Sequence, residues 1–385
     1  MSSSHALRDQ LTPIAESFCL AGPVQRMSRL GSGNVNATYL VEAGGECTVL
    51  QRLNQAVFPE PQLVMANLEA LSCHVQQRLQ HERAAASGGL LRERRWEHPQ
   101  LIRTRAGNTS WTICSSGGFW RMLSFVGGSH SIDLVDDRSQ ASELGWGLGI
   151  FHQLISDLPV DALADTLEGF HITPRYLSAY HRALVRTNVS KTALTEECLA
   201  FIREREAFVG VLEDAKASGL LPLRPIHGDP KINNMLLDSG SGEAIALIDL
   251  DTVKPGLVHY DIGDALRSSC NRQGEESTAF DQVCFDLDLA EAMLSRYLSV
   301  ARSFLSPVEV RMIPDAVRLI SFELGLRFFT DHLNGNVYFR ADHPDHNLQR
   351  AIVQFRLTAS IEAQEQALRR LVEQLAEAPS LPQQA

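Results

Sequence analysis

The sequence predicts an α+β chain in two lobes, a small β-rich one followed by a large, mainly α-helical one, and three observations predict it. At 385 residues the chain exceeds what one hydrophobic core usually supports. Residues 24 to 53 and 111 to 126 read as short apolar strands broken by glycine-rich turns. From residue 138 onward the apolar positions recur at three and four instead, as on a helix face.

Taken in order, residues 7 to 19 form an amphipathic pattern expected to be a helix, and the strands of 24 to 53 follow. Among them the segment Leu30-Gly31-Ser32-Gly33-Asn34-Val35-Asn36 offers small residues between two strands, either a plain hairpin turn or a loop whose amides approach an anion closely. The Ala43-Gly44-Gly45 turn leads into a strand over residues 46 to 54, and residues 61 to 79 are expected to be helical. Residues 81 to 110, with the basic run Arg92-Glu93-Arg94-Arg95, read as loop or short helix with a solvated charged face. A hairpin follows over residues 111 to 126, turned at Ser115-Ser116-Gly117-Gly118, and the lobe boundary falls near Gly127-Gly128. Beyond it, helices are expected near 138 to 157, 174 to 187, 194 to 217, 281 to 304 and 308 to 333. The lobes are thus 1–126 and 127–375, and 376–385, rich in proline and glutamine, is expected to be a disordered tail.

Composition narrows the function class. A formal charge of −11 and a pI near 5.6 argue against nucleic acid or an anionic membrane as partner and favour small substrates. Seven cysteines, none in a Cys-x-x-Cys pair, disfavour both zinc and a disulfide framework and fit reduced core thiols. The first residues lack an apolar signal core and no run reaches membrane-span length, so a cytoplasmic protein, monomeric or weakly dimeric, is expected.

The chemistry concentrates in Ile226-His227-Gly228-Asp229-Pro230-Lys231-Ile232-Asn233-Asn234 and Ala246-Leu247-Ile248-Asp249-Leu250-Asp251. Moving a γ-phosphoryl group needs an Asp to orient the attacking hydroxyl and accept its proton, and oxygen ligands to hold magnesium against the phosphates. Asp229 fits the first role, and Asn234 and Asp249 the second. Two short apolar strands over 234–238 and 244–250, joined by Ser239-Gly240-Ser241-Gly242, would fold Asp249 back beside Asn234. Asp251 is open between satisfying loop backbone and a second metal or phosphate role. Asp261 and Asp264, near the start of a helix, read as braces or caps rather than reactants.

The ordered set of Asp229, Lys231, Asn234 and Asp249 resembles the protein-kinase-like superfamily in its aminoglycoside phosphotransferase and choline kinase branch, where the motif reads His-Gly-Asp. That resemblance implies a bilobal protein-kinase-like fold, ATP and Mg2+ as cofactors, and Lys231 near the γ-phosphate. It implies that Gly31, Ser32, Gly33 and Asn34 cover the phosphates and that backbone near Ser124 to Val126 reads the adenine edge. The strand over 46–54 should carry a phosphate-pairing Lys; the best-placed cation is Arg52, a departure, because the two side chains differ in reach and donor pattern. Arg52 can equally be a solvated surface cation. Its acidic partner is expected on the following helix, at Glu69 or, as second choice, Glu60.

The stretch from Phe322 to Phe339, with the two motifs above, resembles N-acetylhexosamine 1-kinases, which use ATP and magnesium to make the sugar 1-phosphate. By that resemblance Arg327 and Tyr338 contact the sugar, where otherwise they read as a surface ion-pair partner and a core aromatic. His171 either lines the same cleft or is a satisfied loop histidine. The expectation is a small-molecule kinase acting on a sugar hydroxyl, the anomeric one. The alternatives are an amino-alcohol, homoserine-like or aminoglycoside acceptor, for which no concentrated acidic patch is visible, and a pseudokinase-like module that binds nucleotide without turnover.

Overall fold

The computed structural model describes residues 2–31, 35–84, 91, 94–190 and 192–377. The chain begins with α1 (Ser2–Ala15), then β1 (Val24–Arg29), β2 (Ala37–Ala43), β3 (Glu46–Arg52), α2 (Pro61–Ala84), β4 (Trp111–Ile113) and β5 (Phe119–Ser124). The five strands form one antiparallel sheet in the order β1-β2-β3-β5-β4. Period-2 alternation decides which side each residue faces. Val41, Leu50, Trp120 and Met122 point outward to pack on Leu11 and Ala15 of α1, and the opposite face turns to the cleft.

The second lobe follows with β6 (Ser129–His130), α3 (Arg138–Ile155), α4 (Thr173–Arg186), α5 (Ala193–Arg203), α6 (Val211–Ala217), β7 (Arg224–Ile226), β8 (Met235–Asp238), β9 (Ala244–Leu247) and β10 (Lys254–Gly256). Then come α7 (Val258–Ser269), α8 (Leu287–Ala301), α9 (Pro307–Arg311), α10 (Ile313–Leu333), α11 (His346–Ala363) and α12 (Glu365–Glu377). This is the expected protein-kinase-like architecture of a small antiparallel-sheet lobe and a large helical lobe. Helix α3 starts where Asp137 caps Gln140 N–H, and it lies so close to α8 that a Cβ on Gly145 would stand 2.0 Å from the Met293 carbonyl oxygen.

Several boundaries differ from expectation for local reasons. The pattern over 194–217 is two helices separated near Gly210. That over 308–333 breaks before α10, where Pro314, lacking an N–H, occupies the first turn. Helix α8 begins only at Leu287, because the Asp286 carboxylate caps the N–H groups of Asp288 and Leu289. Ala376 and Glu377 of the expected tail close α12, and residues 378–385 lie outside the described residues.

Arg94 and Arg95 of the basic run do not form a solvated face; Arg92 and Glu93 lie outside the described residues. The Arg94 guanidinium stacks 3.4 Å over Trp146 and pairs with Glu143, while Arg95 donates to the Gly127 carbonyl (2.7 Å) and to Asp238 (3.0 Å). Arg95 therefore fastens the segment between the lobes. Asn67 of α2 adds a second fastening: its side chain donates to Ala164 O (2.8 Å) and Val253 O (2.9 Å) and accepts from Ala164 N–H (2.8 Å).

Candidate active site

Strand β7 runs into His227-Gly228-Asp229, and the buried Asp261 of α7 grips that turn. Its carboxylate accepts from His227 N–H (2.6 Å), Gly228 N–H (2.8 Å) and His152 Nε2 (2.9 Å). Gly228 must be glycine: φ is +89° and a Cβ would lie 2.6 Å from the Thr252 carbonyl oxygen. His227 donates through Nε2 to Ile248 O (2.9 Å) and accepts Asp229 N–H on Nδ1 (3.2 Å), a neutral ring, and burial holds its pKa below the ordinary range. Thr252 Oγ donates to His227 O at 2.7 Å. Asp261 is thus the brace that the sequence suggested; Asp264 instead pairs with the buried Arg267.

His171 has the same bracing function. It does not line the cavity described below: at φ +63° it donates through Nε2 to Gly228 O (2.7 Å) and through Nδ1 to Glu323 (2.9 Å). Both partners only accept, so the ring carries both protons. Burial opposes that charge, but the Glu323 carboxylate and the Gly228 carbonyl outweigh it and raise the His171 pKa above 6.5. A raised histidine pKa stabilises the fold fully below the unfolded value, and the contribution is lost as pH rises through the folded value. The stability gap between the protein and His171→Asn should therefore be wider at about pH 6 than at about pH 9 in urea titrations. A gap independent of pH would rule out the imidazolium.

The expected hairpin forms: Met235 pairs with Leu247, and Ile248 N–H donates to Asn234 O at 2.9 Å, which brings Asp249 next to Asn234. Asn234 Nδ2 donates to Asp229 O (2.7 Å), which leaves its Oδ1 free to accept. Lys231 Nζ lies 3.0 Å from Asp229 Oδ2, whose charge holds the ammonium above its usual range. Asp249 sits in the left-handed region at φ +63°. Its carboxylate opens to the cleft, yet enclosing protein, then Asp251 and Asp229, push its pKa up to about 6. That crowding of negative charge fits a divalent cation. Among the described residues no three His, Cys, Asp or Glu converge as a metal cage, so Asn234 and Asp249 would hold magnesium together with nucleotide phosphates.

On the nucleotide side the placements diverge from expectation. Gly31 is left-handed at φ +70°; Ser32, Gly33 and Asn34 lie outside the described residues. Arg52 is not at the cleft. It shares the outward face with Leu50, pairs across the sheet with Trp120, and its Nε lies against Gly118. The alternation that buries Leu50 turns Gln51 inward and Arg52 outward. Glu69 does not pair with it either, accepting instead from Ser110 Oγ at 2.5 Å. The cation at the cleft is Arg121 of β5, which donates from Nε and Nη2 to Gln51 Oε1 (3.0 and 2.7 Å) and pairs with the buried Asp251. Asp251 also accepts from Asn36 Nδ2 at 2.5 Å. Ser124 exchanges hydrogen bonds with the backbone of Gln100, and Val126 is buried with Ile245 and Ala246 at the junction of the lobes.

A cavity of about 730 Å3 opens between α2, the 165–170 segment, α4 and α10. Arg327 projects into it, its guanidinium 5.1 Å from the Phe170 ring, 5.0 Å from Tyr176 and 5.4 Å from Phe339. No ion pair engages Arg327 among the described residues. Tyr338 is neither core nor packed away; it is exposed at the cavity rim, its N–H held by Asp331 at 2.8 Å. The lining acids are mostly committed: Asp165 to Lys254 (2.6 Å), Glu168 to Arg175 (2.9 Å), and Asp331 to the N–H groups of residues 337 to 339. Neither Tyr176 nor Arg121 carries a sequence signature, since each matters through partners distant in the chain.

Comparison with known proteins agrees with this fold. The model of the phosphotransferase enzyme family matches residues 26–284. The fold is similar to that of a microcompartment-associated aminopropanol kinase, at 19% identity and a TM-score of 0.60, covering 94% of this chain and 98% of that one. It is also similar to spectinomycin phosphotransferase in complex with ADP and spectinomycin, at 10% identity and a TM-score of 0.54, covering 93% and 98%. A choline kinase from Cryptosporidium parvum Iowa II is similar at 14% identity and a TM-score of 0.52, covering 90% and 91%.

Proposed function

The chain belongs to the phosphotransferase enzyme family, whose model spans more than half of it, and from that premise we propose that it is an ATP- and magnesium-dependent small-molecule kinase of a sugar hydroxyl, the anomeric hydroxyl of an N-acetylhexosamine. Asp229 orients that hydroxyl and takes its proton as its oxygen attacks the γ-phosphorus and the bond to the ADP oxygen breaks. Lys231, beside Asp229, offsets charge on the transferring group. Asn234 and Asp249 would hold magnesium, which when bound would offset the charge of the phosphates. Residues 124 to 126 receive the adenine at the junction of the lobes.

The observation that carries the acceptor reading is Arg327. An ammonium acceptor needs a carboxylate or an aromatic cage. Here the aromatic faces of Phe170, Tyr176 and Phe339 already surround a guanidinium, and among the described residues Glu60 is the one lining acid without a partner. A neutral polyhydroxyl acceptor with an acetamide carbonyl suits five fixed donors far better. Arg327→Leu should raise the acceptor KM about tenfold or more while leaving the ATP KM within about twofold, because the lost hydrogen bonds are to the acceptor alone.

The test is magnesium-dependent ATP consumption across N-acetylglucosamine, N-acetylgalactosamine, unsubstituted hexoses, choline and kanamycin. Preference for an N-acetylhexosamine supports the proposal; preference for choline or kanamycin overturns the acceptor class, and nucleotide binding without product would make the chain a binding module.

A further inference from the structure

The cleft face of β3 offers a neutral side chain, Gln51, where the nucleotide phosphates are expected, and its surroundings fix which way its amide points. Arg121 donates two hydrogen bonds to one atom, Gln51 Oε1, at 3.0 and 2.7 Å. That oxygen is consumed, so the Gln51 NH2 group faces the other way. One of its hydrogens goes to Thr38 Oγ at 3.1 Å, leaving the second for the cleft. Arg121 is itself immobile: it is 1% exposed and paired with Asp251, which is 3% exposed, and Asp251 is anchored in turn by Asn36 Nδ2. Asn36 accepts Asn54 N–H on Oδ1 at 3.0 Å, which ties the end of β3 into the same network. Asp251 stands two residues from Asp249, so the network lies against the metal end of the site.

We propose that Gln51 is the nucleotide-phosphate contact on β3, an amide donor held donor-outward by Arg121, which acts as a positioning residue anchored by Asp251. A β3 lysine would present a mobile ammonium; this arrangement presents one oriented N–H, with the positive charge buried behind it. The guanidinium polarises the amide through the shared oxygen and strengthens the outward donor. Buried ion pairs add little net stability over an apolar replacement. Orientation of Gln51 gives Arg121 and Asp251 a function that packing alone does not.

This inference rests on the kinase reading, and Gln51→Glu tests it because the two roles predict opposite results. A carboxylate at position 51 would pair with Arg121 at least as well as the amide does, so the fold is kept. It offers no donor and repels phosphate. The measurements are ADP affinity by calorimetry in the presence of magnesium, and the urea unfolding midpoint, on the full chain. The expected result is an unchanged or raised midpoint with ADP binding weakened about tenfold or more. ADP binding within about twofold of the parent at an unchanged midpoint overturns the inference. Should Gln51→Glu lower the midpoint, Gln51→Met, similar in volume and without a donor, decides by the same criterion. A parent protein that binds no ADP would sink the kinase reading and this inference together; a parent that binds and a Gln51→Glu variant that binds equally sinks this inference alone.

Discussion

Asp229→Asn is expected to cut turnover sharply without abolishing nucleotide binding. In the proposed mechanism the carboxylate takes the proton of the attacking hydroxyl, and an amide cannot accept it. Losing a general base costs about a hundredfold to ten-thousandfold in kcat. The amide keeps the volume, and the contacts that hold the turn are made by the backbone of His227 and Gly228 to Asp261 and by Asp229 N–H to His227, none of which uses the Asp229 side chain. ADP affinity should stay within about threefold of the parent, since positioning of the nucleotide belongs to other residues. Turnover of the true acceptor at near-parent rates by this variant would remove Asp229 from the mechanism.

Asp261→Ala produces the largest expected loss of stability. It orphans two buried backbone N–H groups, of His227 and Gly228, and strips His152 Nε2 of its partner while Nδ1 keeps Tyr297. Each unsatisfied buried group costs about 1–3 kcal/mol, so a total near 5 kcal/mol is of the size of a domain's whole stability. Asp261→Asn retains one acceptor oxygen and should cost roughly half as much, with kcat falling because the turn that aims Asp229 relaxes. Urea midpoints for both variants, read beside kcat per folded molecule, check this. Equal midpoints for parent and alanine variant would mean that water replaces the carboxylate and the brace is dispensable.

The parts of this site that were legible in the sequence are those fixed by short-range covalent geometry. Asp229, Lys231 and Asn234 lie within six residues, and the turn Ser239-Gly240-Ser241-Gly242 dictates that Asp249 return beside Asn234. The lobes were legible because the period of the apolar residues changes from two to near four at the boundary. Arg52 was misplaced because a strand's face depends on register against a core, and one residue's shift exchanges the faces; only Leu50 packed on α1 reveals that Gln51 is the inward residue. Glu69 followed from that error. The true acid for the cleft cation, Asp251, lies 130 positions beyond Arg121, and His171 finds Glu323 across 152, separations at which nothing local announces a partner. Arg94 and Arg95 read as a charge run until Trp146, Glu143 and the Gly127 carbonyl claim them.

The central claim is transfer of the γ-phosphoryl group of ATP to the anomeric oxygen of an N-acetylhexosamine at Asp229. It is tested most directly by phosphorus and carbon NMR of the product formed from N-acetylglucosamine or N-acetylgalactosamine with ATP and magnesium. The account predicts stoichiometric ADP and a phosphate coupled to the anomeric carbon, absent with Asp229→Asn. A phosphate on another carbon, or phosphorylation of choline or kanamycin in preference to either sugar, would contradict it.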